Sequence, residues 1–243
     1  MELKDFKDYM ERGGEHHLAN LSVDLVIIGL QGTKLKCLLL KMGDKWLLPG
    51  GHIGIDESVD EAVQRTLKDR TGLEQPHMKF LSVFGAKDRQ FSNEVKEFAA
   101  KAGLDWSSDY WLNKRFVTLA YYSLVNIENT FPSVTHFEDF AWFDFDELPD
   151  MWMDHKTIVL ASRNSLKNDI RQEHISFNLL PHQFTMPELH QLHEIILEEK
   201  LDRSRFQKKM LATGMFKRLP KRQNESPGRN PYQYSVKEDR FRE

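Results

Sequence analysis

The chain has 243 residues, of which 40% are apolar and 29% charged, and this length and composition predict one large or two modest globular domains. No apolar run approaches the length that a membrane span needs, and residues 1–14 are charged throughout and lack the apolar core of a signal peptide. The single cysteine, Cys37, excludes an internal disulfide and a cysteine metal site, so we expect a cytoplasmic protein in which Cys37 is a buried, inert thiol.

Residues 1–20 are polar and predict a short helix or arm before the first domain. Strand patterns, with apolar and β-branched residues between turn signals, occur at residues 21–28, 35–41, 78–86, 116–125 and 136–144. Apolar residues at helical spacing predict helices over residues 58–71, which Gly72 ends, and 156–166. The alternation of strands and helices predicts an α/β domain with a mixed sheet over residues 21–170.

One segment within this domain has its own helical signal. Ser92 or Asn93 is a candidate cap for a helix over residues 94–102, and Gly103 is placed to end it. We therefore expect residues 90–114 to form an insertion in a loop, where it would reshape a ligand site.

Residues 177–181 predict a linker into a second domain that spans residues 177–243. Thr185 is a candidate helix cap with Glu188 at capping-box spacing, and a second helix is predicted over residues 203–212. The apolar residues expected to face inward on that second helix are Phe206, Met210 and Leu211. Strand patterns at 216–219 and 231–236 then enclose a basic loop, and this order is typical of a winged helix-turn-helix domain.

Charge is distributed unevenly along the chain. Residues 200–243 contain 13 Lys and Arg against 5 Asp and Glu, a net charge of +8, whereas the whole chain carries −3. The rest of the chain is therefore acidic. A basic terminal segment on an acidic body favours an appendage that binds a polyanion, and the alternative is a solvated tail.

Residues 51–73 have the spacing of the Nudix box: a glycine, five residues, a glutamate, seven residues, and then a helical segment that begins with arginine and ends in glycine. The resemblance implies an α/β Nudix fold, a mixed sheet sandwiched by helices, over roughly residues 20–165. It also implies a structural role for the residues at the fixed positions, which are Gly51, Glu57, Arg65 and Gly72.

The box departs from Nudix hydrolases at the positions to which the resemblance assigns metal-binding glutamates, where Thr66, Asp69 and Arg70 stand. Hard cations need oxygen ligands, and an arginine is a fixed positive charge. We therefore expect no catalytic residue, no metal, no cofactor and no hydrolysis. Asp60, Glu61 and Asp69 leave a weak metal patch as an alternative to a solvated acidic face.

A degenerate Nudix domain followed by a basic winged helix resembles the Nudix-related transcriptional regulators of the NrtR type, and especially their AraR-like branch. The closer resemblance rests on residues 84–89, 177–181, 184–189 and 201–206. It implies a ligand-responsive repressor of carbohydrate metabolism, whose Nudix domain senses a sugar or an ADP-ribose-like molecule. One winged helix has a small footprint, so we expect a homodimer that binds a palindromic double-stranded DNA operator.

The second helix and the hairpin supply the candidate DNA-binding residues. Those at the start of the helix, where side chains reach base edges, are Arg203, Ser204, Gln207 and Lys208. Those expected to bind phosphate are Arg205, Lys209, Lys217, Arg218, Lys221, Arg222 and Arg229. For any single one of them, a solvated surface side chain is the alternative.

The sequence offers six candidates for the effector site: Asp24, Trp46, His52, Asp88, Arg89 and Trp142. Asp24 lies at the centre of an apolar strand, either as a satisfied core carboxylate or as an acceptor for ligand hydroxyls. The aromatic and histidine side chains are of the kind that stack on a sugar or base, although plain packing is the alternative for each.

Two rival functions remain open from the sequence. One is an active Nudix pyrophosphohydrolase that acts on a nucleoside diphosphate derivative, and the other is a non-enzymatic module whose basic end binds RNA or a protein.

Overall fold

The computed structural model describes residues 3–73, 78–90, 92–101, 103–107, 109–130, 132, 139–222 and 230–237. The helices are α1 (Leu3–Arg12), α2 (Val59–Thr71), α3 (Ser92–Lys101), α4 (His155–Gln172), α5 (Met186–Leu197) and α6 (Arg203–Ala212). The strands are β1 (His17–Gln31), β2 (Lys34–Met42), β3 (Lys45–Leu47), β4 (Gly50–Gly54), β5 (Met78–Phe84), β6 (Val117–Leu124), β7 (Asp139–Asp144), β8 (Phe184–Thr185), β9 (Phe216–Lys221) and β10 (Tyr232–Val236).

Seven of the described strands form one mixed sheet around the long strand β1. β1 pairs in parallel with β6, antiparallel with β4 near its start, and antiparallel with β2 near its end. β3 and β7 extend the sheet from β2, and β5 extends it from β6. The mixed sheet predicted from the sequence is confirmed.

The sheet lies between α2 and α4 because β1 is apolar on both faces. Val23 and Leu25 pack with Leu67 of α2, whereas Val26 and Ile28 pack with residues of α4. Side chains alternate between faces along a strand, so Asp24 points to the α4 side of the sheet. Cys37 is fully buried in this core, as expected, and burial raises the pKa of its thiol.

Helix α2 begins at Val59, one residue after the predicted start, and ends before Gly72 as predicted. The Ser58 side chain accepts a hydrogen bond from the Glu61 amide, while the Glu61 carboxylate accepts one from the Ser58 amide, which completes a capping box. Gly72 takes a left-handed conformation, with φ +70°, as the C-cap. This fixes the Nudix-box helix at both ends.

Several boundaries differ from the prediction. β1 starts at His17 rather than at residue 21, because His17 pairs with Gly54 of β4, a contact that a polar segment does not reveal. The helix predicted over residues 156–166 continues to Gln172, and the linker contains a 3₁₀ turn, Ser176–Leu179. Of the strand predicted at 136–144, residues 136–138 lie outside the described residues.

The C-terminal part has the predicted winged-helix order. Thr185 and Glu188 form a capping box at the start of α5, and β8, β10 and β9 form a small sheet. Phe206 and Met210 of α6 are buried in its core. The prediction for Leu211 was wrong: its side chain is 42% exposed, since it lies a further 100° around the helix from Met210.

The two parts of the chain share an apolar core. Leu192 and Ile196 of α5 belong to the same cluster of buried side chains as Leu39 of β2 and Leu166 of α4. Ion pairs flank this contact, since Glu198, after α5, pairs with Arg163 and Lys167 of α4. The winged helix is therefore packed against the Nudix sheet.

None of the helices within the described ranges is long and apolar enough to cross a membrane.

Candidate functional site

A cavity of about 380 Å³ opens where β1, β4 and the start of α4 meet the box helix α2. This volume lies within the range of small-molecule sites. Polar residues that line it include Ser22, Asp24, His52, Arg89 and His155, and the residues of α2 that line it are Arg65, Thr66, Asp69 and Arg70.

Two glycines of β4 allow the backbone to approach the cavity floor closely. A Cβ at Gly50 would lie 2.5 Å from Asp24 Oδ1 and 3.0 Å from the Val23 carbonyl oxygen. A Cβ at Gly51 would lie 2.7 Å from Thr66 Oγ1. Since any side chain would push against these atoms, both positions require glycine.

A buried ion network forms the floor. Arg89, only 1% exposed at its side chain, donates to Asp24 Oδ2 at 2.6 Å and to Asp154 Oδ1 at 2.9 Å. Buried charges are tolerated when they are paired in this way. The network joins β1 to the residue that precedes α4.

Two histidines, His52 and His155, line the cavity. His155 Nδ1 accepts the Leu48 amide at 2.9 Å, and His52 Nδ1 is hydrogen-bonded to the hydroxyl of Tyr9. A neutral imidazole that accepts at Nδ1 carries its proton on Nε2. Burial lowers the pKa of His52 to about 3 and lowers the pKa of His155 below its ordinary value, so both rings are neutral at pH 7.

The N-terminal helix and the insertion cover the cavity together. The indole of Trp111 stacks on His17, with ring centroids 5.5 Å apart, and donates to the Tyr9 carbonyl oxygen at 2.8 Å. Val95 and Leu112 of the insertion line the cavity. The predicted insertion therefore reaches the candidate ligand site.

Two of the four fixed residues of the Nudix box, Glu57 and Arg65, bond to each other. Arg65 donates to Glu57 through Nε at 2.9 Å and through Nη2 at 2.5 Å, and to the His52 carbonyl at 2.9 Å. These bonds tie α2 to the loop before it. The Arg65 guanidinium lowers the pKa of the Glu57 carboxyl to about 2.

The residues at the metal-binding positions do not fit a divalent cation. Thr66 offers a hydroxyl, Arg70 a cation, and Asp69 a carboxylate that is 61% exposed. Glu61 is engaged in the capping box. The described ranges contain no group of three His, Cys, Asp or Glu that could hold a metal ion. The site's donor set thus lacks the oxygen ligands that magnesium requires.

Three of the six predicted effector residues line the cavity: Asp24, His52 and Arg89. The other three do not line it. Trp46 packs edge-on against Phe143, with centroids 4.6 Å apart, Trp142 packs in the cluster between the sheet and α2, and Asp88 is exposed. Trp46 and Trp142 take the packing role that the sequence left as their alternative.

Sequence reasoning missed Tyr9 and His155. Tyr9 lies in the arm, and His155 contacts Leu48, a residue far from it along the chain. The one available signal for His155 was its place at the start of a predicted helix, directly after Asp154.

The predicted DNA-binding residues lie on an exposed basic surface. The candidates of α6 are exposed: Arg203, Ser204, Arg205, Gln207, Lys208 and Lys209. Those of the hairpin are exposed as well: Lys217, Arg218, Lys221 and Arg222. Arg229 lies outside the described residues.

Two contacts order the hairpin side of this surface. The Arg218 guanidinium lies over the ring of Tyr232, 3.3 Å from its centroid. Arg222 donates to Glu188 of the α5 capping box at 2.9 Å. Asp202 caps α6 by accepting the Arg205 amide at 2.7 Å. Arg222 thereby ties the hairpin to the start of α5, and Asp202 fixes the start of α6.

Comparisons with known proteins agree with this architecture. Residues 20–161 match the NUDIX domain family, and residues 176–236 match the NrtR DNA-binding winged helix domain. The ADPR responsive transcriptional repressor NtrR of Acinetobacter baylyi is 24% identical over 222 residues, which cover 88% of this chain and 80% of that protein.

Solved structures share the fold. Shewanella oneidensis NrtR, crystallised with a 27mer DNA, matches with a TM-score of 0.69 and 23% identity, covering 89% of this chain and 93% of that chain. A MutT/nudix family protein from Enterococcus faecalis matches with a TM-score of 0.66 and 21% identity, covering 97% of this chain and 99% of that chain.

Proposed function

Because this chain belongs to the Nudix family and carries an NrtR DNA-binding winged helix domain, we propose that it is a DNA-binding transcriptional regulator whose Nudix domain senses a small molecule. The observation that carries the proposal is the exposed basic face of α6 and the hairpin, on a chain whose Nudix box lacks a metal-binding set. We further propose that it acts as a cytoplasmic, ligand-responsive repressor.

The DNA contacts follow from where the cations lie. Arg203, Ser204, Gln207 and Lys208 are exposed at the start and on the outer side of α6, the part of a recognition helix that enters the major groove. Arg and Gln suit guanine and adenine edges. The cations of the hairpin bind phosphate and add affinity without sequence choice.

The effector is a sugar or an ADP-ribose-like molecule. The cavity has the size of a small-molecule site, and its floor is formed by Asp24, Arg89 and His155. Two likenesses support the two effector classes: the resemblance to the AraR-like branch favours a sugar, and the Acinetobacter relative is named as ADPR responsive. A sugar effector would place the regulator in carbohydrate metabolism.

Effector binding reaches the DNA-binding domain through α4. Arg89 joins the cavity floor to Asp154, at the start of this helix, which is about 27 Å long at 1.5 Å per residue. Arg163, at the middle of α4, and Lys167, in its second half, pair with Glu198 between α5 and α6. In a homodimer on a palindromic operator, a shift of α4 would change DNA affinity by the usual allosteric coupling, about 1–3 kcal/mol.

The decisive experiment is footprinting of the DNA upstream of the protein's own operon, with and without effector. A regulator protects a palindromic site there, and equal affinity for that DNA and for random duplex would refute the proposal. The alternative function, a Nudix pyrophosphohydrolase, requires magnesium-dependent release of products from ADP-ribose or another nucleoside diphosphate derivative. Turnover of any of these substrates would show that the Nudix domain is an enzyme and would refute its proposed role as a non-catalytic sensor.

A further inference from the structure

The hairpin of β9 and β10 carries an aromatic ring that contacts two cations. Tyr232 of β10 is 36% exposed, although Tyr234, two residues further on, is buried in the core of the winged helix. The Arg218 guanidinium lies over the Tyr232 ring at 3.3 Å from its centroid, and Lys221 Nζ lies over the same ring at 5.2 Å. Both distances are within the limit of about 6 Å for a cation–π contact. Tyr232 was not among the predicted DNA-binding residues.

A β-bulge brings the two cations to one face of the hairpin. Tyr232 of β10 pairs with Lys221 of β9. Two residues further along β10, Tyr234 pairs with Arg218, so β9 has one extra residue over this interval. Paired residues lie on the same face of a sheet, as do residues two apart in one strand, so both cations share the face of Tyr232. Pro220 suits the bulge, because β9 is the edge strand and proline donates no ladder hydrogen bond.

Neither cation has an anionic partner within the part of the chain that the structure describes. The side chains of Arg218 and Lys221 form no ion pair and no hydrogen bond with a described residue. The next cation along the chain, Arg222, is instead paired with Glu188 at 2.9 Å. Two neighbouring positive charges without a carboxylate concentrate positive potential on this face of the hairpin, as a surface that binds a polyanion requires.

The ring fixes Arg218 without using its hydrogen-bond donors. With Cζ 3.3 Å from the ring centroid, no N–H group fits between them, so the guanidinium contacts the Tyr232 ring with its face. The N–H groups of a guanidinium lie in its plane and point outward from its edges, where they can donate to phosphate oxygens. An arginine side chain loses rotamer freedom when it binds a ligand, and a contact that exists before binding reduces this loss.

We infer that Tyr232 is a positioning residue for DNA binding, which holds Arg218 beside Lys221 so that the two cations contact neighbouring phosphates of the DNA backbone. The inference rests on the proposed DNA-binding function and adds an uncharged residue to the surface that carries it. Because phosphate contacts carry no sequence information, the contribution of Tyr232 is the same on any duplex.

Anisotropy titrations of the full chain with a labelled DNA duplex of random sequence test the inference. Tyr232→Leu removes the ring and keeps every cation, and it should weaken binding by roughly two- to fivefold, the value of one exposed cation–π contact. Tyr232→Phe keeps the ring and removes only the hydroxyl, so this conservative variant should retain the affinity of the parent. A loss in Tyr232→Phe as large as that in Tyr232→Leu would overturn the inference, because the ring would then not be the group that acts.

The salt dependence of binding separates positioning from charge. Tyr232→Leu should leave the slope of log K against log salt concentration unchanged, whereas Arg218→Ala should reduce the slope by about 0.9, the value of one phosphate contact. In the Arg218→Ala background, Tyr232→Leu should cause a smaller loss of affinity than in the parent, because the residue that it positions is gone. Equal losses in the two backgrounds would show that Tyr232 acts independently of Arg218 and would overturn the inference.

The contact itself can be observed without DNA. In NMR spectra of the full chain, the ring current of Tyr232 should shift the side-chain resonances of Arg218 upfield, and the shift should persist in Tyr232→Phe and disappear in Tyr232→Leu. Arg218 resonances at their ordinary positions in the parent protein would overturn the inference. Thermal denaturation checks the structural alternative: since Tyr232 is partly exposed, Tyr232→Leu should unfold close to the Tm of the parent, and a large decrease would assign the ring to the fold instead.

The inference and the proposed function fail in different ways. If Tyr232→Leu bound the duplex as tightly as the parent, the positioning role would be refuted and DNA binding would stand. If the parent bound no duplex at low salt, the DNA-binding function would be refuted, and the positioning role with it.

Discussion

Replacement of Arg89 by methionine should destabilise the protein strongly. Arg89 is 1% exposed and is the cation shared by Asp24 and Asp154, at 2.6 and 2.9 Å, so its loss leaves the 8%-exposed Asp24 side chain uncompensated. Removal of one partner from a buried ion pair costs about 3–5 kcal/mol. In a chain of this size each kcal/mol lowers Tm by about 2–4 °C, which gives a decrease of roughly 6–20 °C.

Chemical and thermal denaturation at pH 7 measure this effect. Arg171→Met is the matched control, because Arg171 is 52% exposed and pairs with Glu199 at 3.5 Å. An exposed pair of this kind contributes about 0–1 kcal/mol.

A second substitution identifies the cause. In the Arg89→Met background, Asp24→Asn removes the uncompensated carboxylate and should restore about 1–3 kcal/mol, the desolvation penalty of an unsatisfied buried group. If Arg89→Met changed the free energy of unfolding no more than Arg171→Met, or if Asp24→Asn gave no recovery, the buried network would not have the role assigned to it.

Three further predictions concern pH, DNA and catalysis. Arg65 depresses the pKa of Glu57 to about 2, below its ordinary 4.5. The stability that the ionised carboxylate adds is therefore present above pH 4.5 and lost as pH falls toward 2. The difference in unfolding free energy between the parent protein and Glu57→Gln should shrink over that interval, and a constant difference would contradict this prediction. Lys208→Ala should weaken operator binding and change its salt dependence. Lys200→Ala, at a side chain that is 94% exposed beside Glu194, should leave both unchanged. Equal effects of the two substitutions in anisotropy titrations would disprove the prediction that the exposed face of α6 contacts DNA. Incubation with ADP-ribose and magnesium should give no product that chromatography detects. Measurable turnover would refute the prediction that the Nudix domain is not catalytic.

Local sequence signals predicted where helices begin and end. They did not predict the contacts between residues that lie far apart along the chain. Gly72 and Thr185, the predicted cap residues, act through neighbours three or four residues away, so a single sequence contains the whole interaction. The start of β1 was placed too late, because the pairing of His17 with Gly54 is a tertiary contact between polar or small residues.

The candidate site was predicted only in part for the same reason. Asp24 stood out as a charge within an apolar strand, and it does line the cavity. His155 and Tyr9 carry no such contrast with their neighbours along the chain, and only the fold brings them to Leu48 and His52. Trp142 was a candidate for the effector site but packs in an apolar cluster. Aromatic side chains that stack on ligands also fill protein cores, so the residue type alone did not distinguish the two roles.

The shared core of α5 and the Nudix sheet bears on how the chain folds. Leu192 and Ile196 are buried by the packing of α5 with β2 and α4, so truncation after Gln172 would remove the side chains that cover this part of the sheet, and an isolated winged helix would expose an apolar stripe to water. The two parts should therefore unfold in one cooperative transition, and proteolysis of the native protein should leave the short connection around residues 173–183 uncut. The winged helix should therefore depend on the Nudix sheet for its fold.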